Sequence, residues 1–247
     1  MPEYRQKRED KMSEIISVNK LSKSYGSHQV LKDLSFSFEG GQIIGLLGPN
    51  GSGKTSLLKI LTGLIHDYSG EVLIDGDEPG VVTKAKVAYL PEKTYLADWM
   101  RCVDAIEFMA DFYKDFDKKK AYGMLDIFKL PPKQKIKTMS KGMQEKLQLL
   151  LVMCRNAKLY VLDEPLGGVD PAARAFILDT IMKNHPEGST ILLSTHLIYD
   201  VEKIFDSVLM IGRGQVLVKA KVDDITASGR TIEDLFKEVF ANAWQID

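Results

Sequence analysis

A glycine-rich loop that ends in lysine and threonine is the first part of the sequence whose residues could do chemistry. Gly48, Gly53, Lys54 and Thr55 match the spacing G-x-x-x-x-G-K-[ST]. In such a loop the backbone N–H groups curl around phosphate oxygens, the lysine reaches the β- and γ-phosphates, and the threonine hydroxyl binds Mg²⁺. The predicted phosphate-binding residues are Gly48, Pro49, Asn50, Gly51, Ser52, Gly53, Lys54, Thr55 and Ser56.

An acidic pair that follows an apolar run supplies the second chemical element. Residues 159–162 are apolar, and Asp163 and Glu164 come directly after them. A phosphate loop of this kind needs an acid to hold the metal, so Asp163 is expected to orient Mg²⁺ through water. Glu164 is expected to polarise the attacking water as general base. Taken alone, such a pair of acids lies in an exposed loop without a catalytic role about as often as it has one. Its combination with the phosphate loop favours the catalytic interpretation.

The patterns on either side of these motifs predict the elements that position them. Residues 42–47 form a continuous apolar run typical of a buried strand, and residues 55–64 have apolar positions at helical spacing. The phosphate loop is therefore predicted between a strand and a helix, whose N-terminus adds partial positive charge. Strand-like runs at residues 159–162, 190–194 and 207–211 alternate with helical segments, which predicts a buried parallel sheet.

The remaining segments predict further strands and a helical insertion around this core. Residues 15–18 and 34–38 have the pattern of a half-exposed antiparallel sheet. Residues 98–153 are mostly helical in pattern, with a break at 130–132. The first helix there is predicted to bury Val103, Ile106, Met109 and Ala110. The other predicted elements are strands at 70–76 and 86–90, a helix at 141–153, a hairpin at 212–214 and a helix from Ile232.

These elements predict an α/β fold with a P-loop NTPase core, an N-terminal antiparallel β subdomain and a helical insertion. The predicted core covers residues 14–91 and 153–247, and the helical subdomain covers residues 92–152. Residues 1–13 are dense in charge and are expected to be an extension that precedes the core.

Composition excludes several other classes of protein. Lysine and arginine number 33 against 34 acidic residues, a net charge of -1, so no global attraction to nucleic acid or anionic lipid is expected. Cys102 and Cys154 lie far apart without metal-ligand spacing, which argues against a disulfide framework or zinc site and fits a reducing cytosol. No apolar run approaches the roughly 20 residues that cross a bilayer. A role at a membrane would require another chain to hold this one there.

At this point the sequence resembles the ATP-binding subunits of ABC transporters, with motifs in the family's order from Tyr25 to His196. Tyr25 resembles the aromatic residue that stacks on adenine, although a surface aromatic is the alternative. His196, after Ser-Thr, resembles the switch histidine that touches the γ-phosphate and would join Glu164 and Lys54 as a catalytic residue. Residues 167–171 resemble the loop that links the two active sites of such proteins.

Ser140 and Gly142 resemble the family's Leu-Ser-Gly-Gly-Gln signature, from which Met139, Lys141 and Met143 depart. A hydroxyl and a bare backbone at the start of a helix can bind an anion, although an ordinary capping serine has the same pattern. In the family this element contacts the γ-phosphate that the opposite subunit holds. The resemblance therefore implies a second ATP-binding subunit, in a homodimer or a close heterodimer.

Glu92 departs from the family pattern at a position that matters. It follows Leu-Pro, where the family usually has glutamine. A carboxylate can still bind a hard cation, so the predicted metal-binding residues are Thr55, Glu92 and Asp163. It also adds negative charge beside the nucleotide, which would slow turnover or raise the demand for Mg²⁺. The alternative is an exposed loop acid with no such role.

The resemblance implies a subunit that binds ATP and Mg²⁺, hydrolyses ATP and powers a separate transmembrane permease from the cytoplasmic face of the cell membrane. The short insertion and the Ser-Lys-Gly-Met sequence resemble those of bacterial exporters of antimicrobial peptides, antibiotics or lipids, and those of subunits of the YtrB type. Aromatic residues at 108–116 indicate either a permease-facing surface or core packing, and both interpretations remain open.

Two alternatives come from other classes. A soluble ABC ATPase of DNA repair or translation would have a long coiled-coil insertion or two cassettes, and the sequence has neither pattern, which leaves iron–sulfur assembly in that class. A P-loop kinase or GTPase would need a lid or an Asn-Lys-x-Asp motif, which residues 19–22 fail to match.

Overall fold

The structure, a computed structural model, describes residues 14–167, 169 and 171–241. The predicted extension over residues 1–13 lies outside the described residues, as do Gly168 and Asp170. The strands in chain order are β1 Glu14–Tyr25, β2 His28–Glu39, β3 Ile43–Leu47, β4 Ser69–Ile74, β5 Val87–Leu90, β6 Leu159–Asp163, β7 Thr190–Thr195, β8 Ser207–Gly212 and β9 Gln215–Lys221. The helices are α1 Lys54–Leu61, α2 Val81–Lys86, α3 Cys102–Phe112, α4 Lys118–Phe128, α5 Lys141–Met153, α6 Pro171–Asn184, α7 Ile198–Val201, α8 Val222–Ala227 and α9 Ile232–Ala241.

A mixed sheet carries the phosphate loop. Its strand order is β5-β6-β7-β3-β8-β9, and every neighbouring pair is parallel except β8 and β9. Side chains of β3 alternate between two cores, with Ile43 and Leu47 in one and Ile44 and Leu46 in the other. Because both faces of the strand are covered, its sequence is a continuous run of apolar residues. The predicted buried parallel sheet is confirmed, with an antiparallel strand added at its edge.

A second sheet is antiparallel, in the order β2-β1-β4. Its apolar side chains, among them Ile16 and Phe36, share a core with α1 and with Leu46 of the mixed sheet. The predicted antiparallel sheet is therefore confirmed. Its first two strands are each 12 residues long, and the predictions at 15–18 and 34–38 cover only part of them, since their other halves carry few apolar residues.

Helices α3, α4 and α5 lie between β5 and β6 in the chain and pack against the other core. Side-chain caps begin two of them. The Asp117 carboxylate accepts a hydrogen bond from the Lys120 N–H (2.8 Å) at the start of α4. The Ser140 hydroxyl accepts one from the Met143 N–H (3.3 Å) at the start of α5. Each cap satisfies an amide that lacks a partner within its own helix.

The buried face of α3 differs in part from the prediction. Ile106 and Met109 are buried as expected, whereas Val103 and Ala110 are only half-buried. The remaining buried residues of the helix are Cys102 and Ala105. The helix also ends at Phe112, so the aromatic segment at 108–116 is only partly helical, and Phe116 turns into the core.

Helix α1 ends at Leu61, three residues before the end of the predicted helix at Leu64. Gly63 adopts a left-handed conformation (φ +66°), and the Leu64 N–H turns back to the Lys59 carbonyl (2.8 Å). This glycine-terminated arrangement closes the last turn and leaves the Leu64 side chain exposed. The predicted end of the helix at Leu64 is therefore wrong, although Leu64 has helical spacing.

Helix α2 was not predicted, and it takes Lys86 from the expected strand at 86–90. The valines and threonine at its start favour strands in isolation.

Both cysteines are free and buried, and burial raises the pKa of Cys102 to about 11 and that of Cys154 to about 12. Among the described residues no helix has the length and apolar character needed to span a bilayer.

Candidate nucleotide-binding site

The phosphate loop connects β3 to α1, as the sequence predicts. The Lys54 ammonium turns back over the loop and donates to the carbonyls of Gly48 (2.7 Å) and Pro49 (3.2 Å). A Cβ on Gly48 would lie 2.3 Å from the Ile211 carbonyl oxygen, so the loop's close approach to β8 requires glycine there. Gly53 has φ +105°, a conformation that side chains rarely adopt.

Asp163 ends β6 beside Ser194 of β7. The Ser194 hydroxyl donates to Asp163 Oδ1 (2.7 Å), and the Thr55 hydroxyl lies 3.5 Å from the same oxygen. The other carboxylate oxygen, Oδ2, is buried and has no hydrogen-bond partner in the part of the chain that the structure describes. Burial raises the pKa of Asp163, and the hydrogen bonds from Ser194 and Thr55 oppose that rise. A buried carboxylate with one unpaired oxygen is suited to binding a cation or its water.

Glu164 stands at the centre of the predicted catalytic residues. Its Oε2 lies 3.0 Å from His196 Nδ1, and its Oε1 lies 4.0 Å from Lys54 Nζ. Its backbone N–H donates to the Ser194 hydroxyl (3.0 Å). The residue has φ +49°, which is unusual for a glutamate and typical of strained functional positions. The structure therefore brings Lys54, Glu164 and His196 together.

Charge around Lys54 is arranged to hold an anion. Burial lowers the pKa of Lys54, and the carboxylates of Glu164, Asp163 and Glu92 oppose that shift. The ammonium lies in a cavity of about 930 Å³. Glu92, Glu164 and His196 line this cavity together with the phosphate loop. A polyphosphate in this space would meet a buried cation and backbone N–H groups, with acidic side chains close by.

Some residues that line the cavity were not predicted from the sequence. They are His28, Val30, Lys93, Thr94, Lys141, Gln144, Glu145, Gln148 and Gly167. Gln148 had a recognisable signal, because it interrupts an apolar run between Leu147 and Leu149 on α5. His28 and Val30 had no such signal, since only the folding of β2 beside the loop brings them there.

Tyr25, Ser140 and Gly142 are not among the residues that line the cavity. Tyr25 is 48% exposed, and its hydroxyl lies 3.5 Å from the Ser56 hydroxyl, which places it beside the phosphate loop. The Lys23 ammonium lies 4.8 Å from its ring centroid. Ser140 and Gly142 are exposed at the start of α5, outside the lining of this chain's own cavity.

The residues predicted to bind metal fit Mg²⁺ as part of a shared site. Within the part of the chain that the structure describes, no group of three or more His, Cys, Asp or Glu side chains could hold a metal by itself. Thr55 and Asp163 are adjacent, and Asp163 Oδ2 lacks a partner. Glu92 lies on the same cavity. Phosphate oxygens and water would have to complete the coordination.

Comparisons with known proteins agree with this geometry. Residues 31–167 match the ABC transporter family. The uncharacterized ABC transporter ATP-binding protein MJ1023 of Methanocaldococcus jannaschii is 36% identical over 225 residues, which are 89% of this chain and 82% of that protein. The SkfA peptide export ATP-binding protein SkfE of Bacillus subtilis is 32% identical over 210 residues, which are 83% of this chain and 88% of that protein.

A solved structure of the ATP binding subunit of an ABC transporter has the same fold. It superposes with a TM-score of 0.83 at 28% sequence identity and covers 91% of this chain and 99% of its own. The fold and the phosphate loop define a P-loop nucleoside triphosphatase. The chain belongs to the ABC transporter family, as an ATP-binding subunit that hydrolyses ATP. The predicted fold class and family are thereby confirmed.

Proposed function

We propose that this chain powers a bacterial ABC exporter, bound to a separate permease at the cytoplasmic face of the cell membrane. The observation that carries the proposal is the contact of Glu164 with both Lys54 and His196 at the phosphate-loop cavity. The similarity to SkfE, a peptide export ATP-binding protein, supports the direction of transport.

Each catalytic side chain has a role that its contacts support. Lys54 binds the β- and γ-phosphates in place of the loop carbonyls that it contacts in this structure. Glu164 accepts a proton from the attacking water, and His196 orients that carboxylate through their hydrogen bond. Thr55, Asp163 and Glu92 would hold Mg²⁺, and the bound metal would supply positive charge beside the phosphates. Tyr25, beside Ser56, stacks on the adenine.

A second copy, or a close relative, would complete each site. Ser140 and Gly142 are exposed, and a Cβ on Gly142 would meet nothing within 4 Å. Glycine inside a helix costs about 1 kcal/mol relative to alanine. Since this chain itself gives no steric reason for that glycine, the close approach of another molecule is the reason that we propose. The partner's nucleotide would then bind at the start of α5.

The permease would dock in a groove of about 740 Å³ on the other side of Glu92. Its lining includes Phe108, Phe112 and Tyr89. The rings of Phe108 and Phe112 are 4.5 Å apart and remain 46% and 69% exposed. Exposed aromatic pairs are common at interfaces. We propose that residues 92–152 move as a helical subdomain and transmit motion between this groove and the nucleotide.

The substitution Glu164→Gln tests the assigned chemistry. It keeps the shape of the side chain but removes the base, so we expect ATP turnover to fall at least about 100-fold while ATP still binds. Because ATP then persists, the variant should accumulate as a nucleotide-bound dimer. Turnover rate, nucleotide affinity and molecular mass in solution measure the three effects. Normal turnover in this variant would remove Glu164 from its role.

A further inference from the structure

The side-chain oxygen of a buried glutamine that lines the nucleotide cavity has no hydrogen-bond partner among the described residues. Gln148 is 4% exposed and lies on α5 between the buried residues Leu147 and Leu149. Among the described residues, its Oε1 has no hydrogen-bond partner. Most buried polar atoms are paired, because an unpaired one loses its hydration without compensation. The oxygen of Gln148 therefore requires an explanation that the packing of α5 does not supply.

A second glutamine one turn earlier provides the contrast. Gln144 Nε2 donates to the carbonyls of Ile136 (3.1 Å) and Met139 (3.4 Å), and so fastens the segment before α5. Residues four apart lie on the same face of a helix, so Gln148 faces the same way as Gln144. Gln144 therefore makes hydrogen bonds that stabilise this chain. The oxygen of Gln148 makes none among the described residues.

The surroundings of Gln148 indicate what it lacks. It lines the same cavity as Glu92, Glu164 and Lys54. Helix α5 packs against β5, the strand that ends two residues before Glu92. Carboxylates only accept hydrogen bonds, and so does the orphaned Oε1. A water molecule can donate to an amide oxygen and to a carboxylate at once, and water is the donor that we infer for Gln148.

We propose that Gln148 is a positioning residue that accepts a hydrogen bond from a water molecule held beside the γ-phosphate of ATP. This inference rests on the proposed function. Position 92, where the resemblance leads one to expect a neutral amide, carries a carboxylate instead, and Gln148 places a neutral amide in the same cavity from α5. Through this contact, α5 and the signature at its start respond to ATP but not to ADP.

The substitution Gln148→Met tests the proposal, because methionine has a similar length and no oxygen. We expect affinity for a non-hydrolysable ATP analogue with Mg²⁺ to fall about fivefold, as for the loss of one hydrogen bond. Affinity for Mg²⁺-ADP should change less than twofold. The unfolding temperature without nucleotide should stay equal or rise, since a buried unpaired oxygen has been removed. Titration calorimetry and thermal unfolding measure these quantities.

Gln134→Met is the matched control, because Gln134 bonds the Thr138 carbonyl (3.2 Å) and does not line the cavity. It should change neither affinity. If Gln148→Met fails to fold, Gln148→Ala carries the same expectations for the two affinities. Equal effects of the Gln148 variants on both nucleotides, or no effect on either, would overturn this inference. A wild-type protein that binds neither nucleotide would instead overturn the proposed function.

Discussion

Carboxylates and ammonium groups meet at the nucleotide site. Asp163 ends β6, Glu164 follows it, and Glu92 lies two residues after β5, so the ends of two adjacent parallel strands supply these three acids. Each of the three carboxylates raises the pKa of Lys54 against the effect of burial, Glu164 most strongly. Glu92, Glu145 and Glu164 line the cavity, and without a metal they would repel the phosphates that Lys54, Lys93 and Lys141 attract.

Replacing Glu92 with glutamine tests how much that repulsion matters. One negative charge leaves the cavity, so ATP without Mg²⁺ should bind about twofold to fivefold more tightly, as expected for one charge acting through partly screened surroundings. The Mg²⁺ concentration that gives half-maximal ATP hydrolysis should change as well, because a metal ligand is altered. Calorimetric titration with and without Mg²⁺, and ATPase assays over a range of Mg²⁺, check both effects. If neither quantity changes, Glu92 is an exposed loop acid without the proposed role.

Helix α5 connects several parts of the site. Ser140 caps it, Gly142 lies in its first turn, and Gln148 faces the cavity from its second. Its C-terminal half is buried among the other helices. A helix held in this way can move only together with the helices that pack on it, so events at the nucleotide would reach the whole of residues 92–152.

Gly142→Ala separates the stability of this helix from its proposed contact with a second subunit. The free energy of unfolding should rise by about 0.5–1 kcal/mol, because alanine forms helices better than glycine. The ATP-dependent dimer of the Glu164→Gln background should be lost, since a Cβ obstructs the close approach. Denaturant unfolding and light scattering measure the two effects.

Gly123→Ala is the control for that experiment. Gly123 lies within α4, is exposed, and has nothing within 4 Å of an added Cβ. It should give a similar stabilisation and leave the dimer intact. A Gly142→Ala protein that still dimerises with ATP would contradict the proposed contact.

Arg155, just after α5, joins the helical segment to the edge of the mixed sheet. It is 4% exposed, and its Nε lies 2.8 Å from both carboxylate oxygens of Asp115. Its guanidinium carbon lies 3.6 Å from the ring centroid of Tyr113. It also donates to the carbonyls of Val87 (3.4 Å) and Ala85 (3.1 Å). One side chain thus links the segment after α3 to the segment that leads into β5.

Arg155→Met should lower the free energy of unfolding by about 1–3 kcal/mol, because it removes the ion pair and the hydrogen bonds to the carbonyls. Asp115 is partly exposed and keeps the hydrogen bond from the Asn156 N–H, which limits the loss. Arg155→Lys should recover only part of the loss, since an ammonium cannot bond Asp115 and stack on Tyr113 as a planar guanidinium does. Urea unfolding of the three proteins measures the difference. Equal stability of the wild type and the methionine variant would show that the link contributes nothing.

At the scale of the whole molecule, the nucleotide cavity and the aromatic groove lie on either side of Glu92. Thr55, Glu92 and Lys93 line both of them. A permease segment in the groove would therefore contact residues that also face the nucleotide. This proximity is the physical basis for coupling ATP hydrolysis to movement of a partner, because a shift at either side displaces shared residues.

Phe112→Ser tests whether the groove is the docking surface. The substitution removes a side chain that is 69% exposed, so the ATPase rate of the isolated chain should stay within about twofold. Recovery of the permease with the tagged chain from detergent-solubilised membranes should fall severalfold, because central aromatic residues dominate interface energies. Ile127→Ser, at a 65% exposed apolar position on α4 outside the groove, is the control and should have no effect. Equal recovery with both variants would move the docking surface elsewhere.

The sequence by itself determined the family and most of the elements. The phosphate loop and the acidic pair predicted Lys54 and Glu164 as catalytic residues, because these motifs are local and the backbone that surrounds them is set by strand and helix periodicity. The resemblance to the family added His196 to that prediction. The same periodicity predicted the strands of the mixed sheet. It failed at Leu64 and Val103, where a glycine cap and the packing of neighbouring helices decided which side chains are buried.

Only the tertiary structure decided which distant residues meet. Ser194 forms hydrogen bonds with both Asp163 and Glu164 because β6 and β7 are neighbours. No local sequence pattern predicts that the two strands pair. Arg155 and Gln148 are one ordinary cation and one ordinary amide in the sequence. Their surroundings, backbone carbonyls for one and the wall of the nucleotide cavity for the other, arise from segments far apart in the chain. Periodicity predicts which face of an element is buried, but the tertiary structure decides which residues pack against that face.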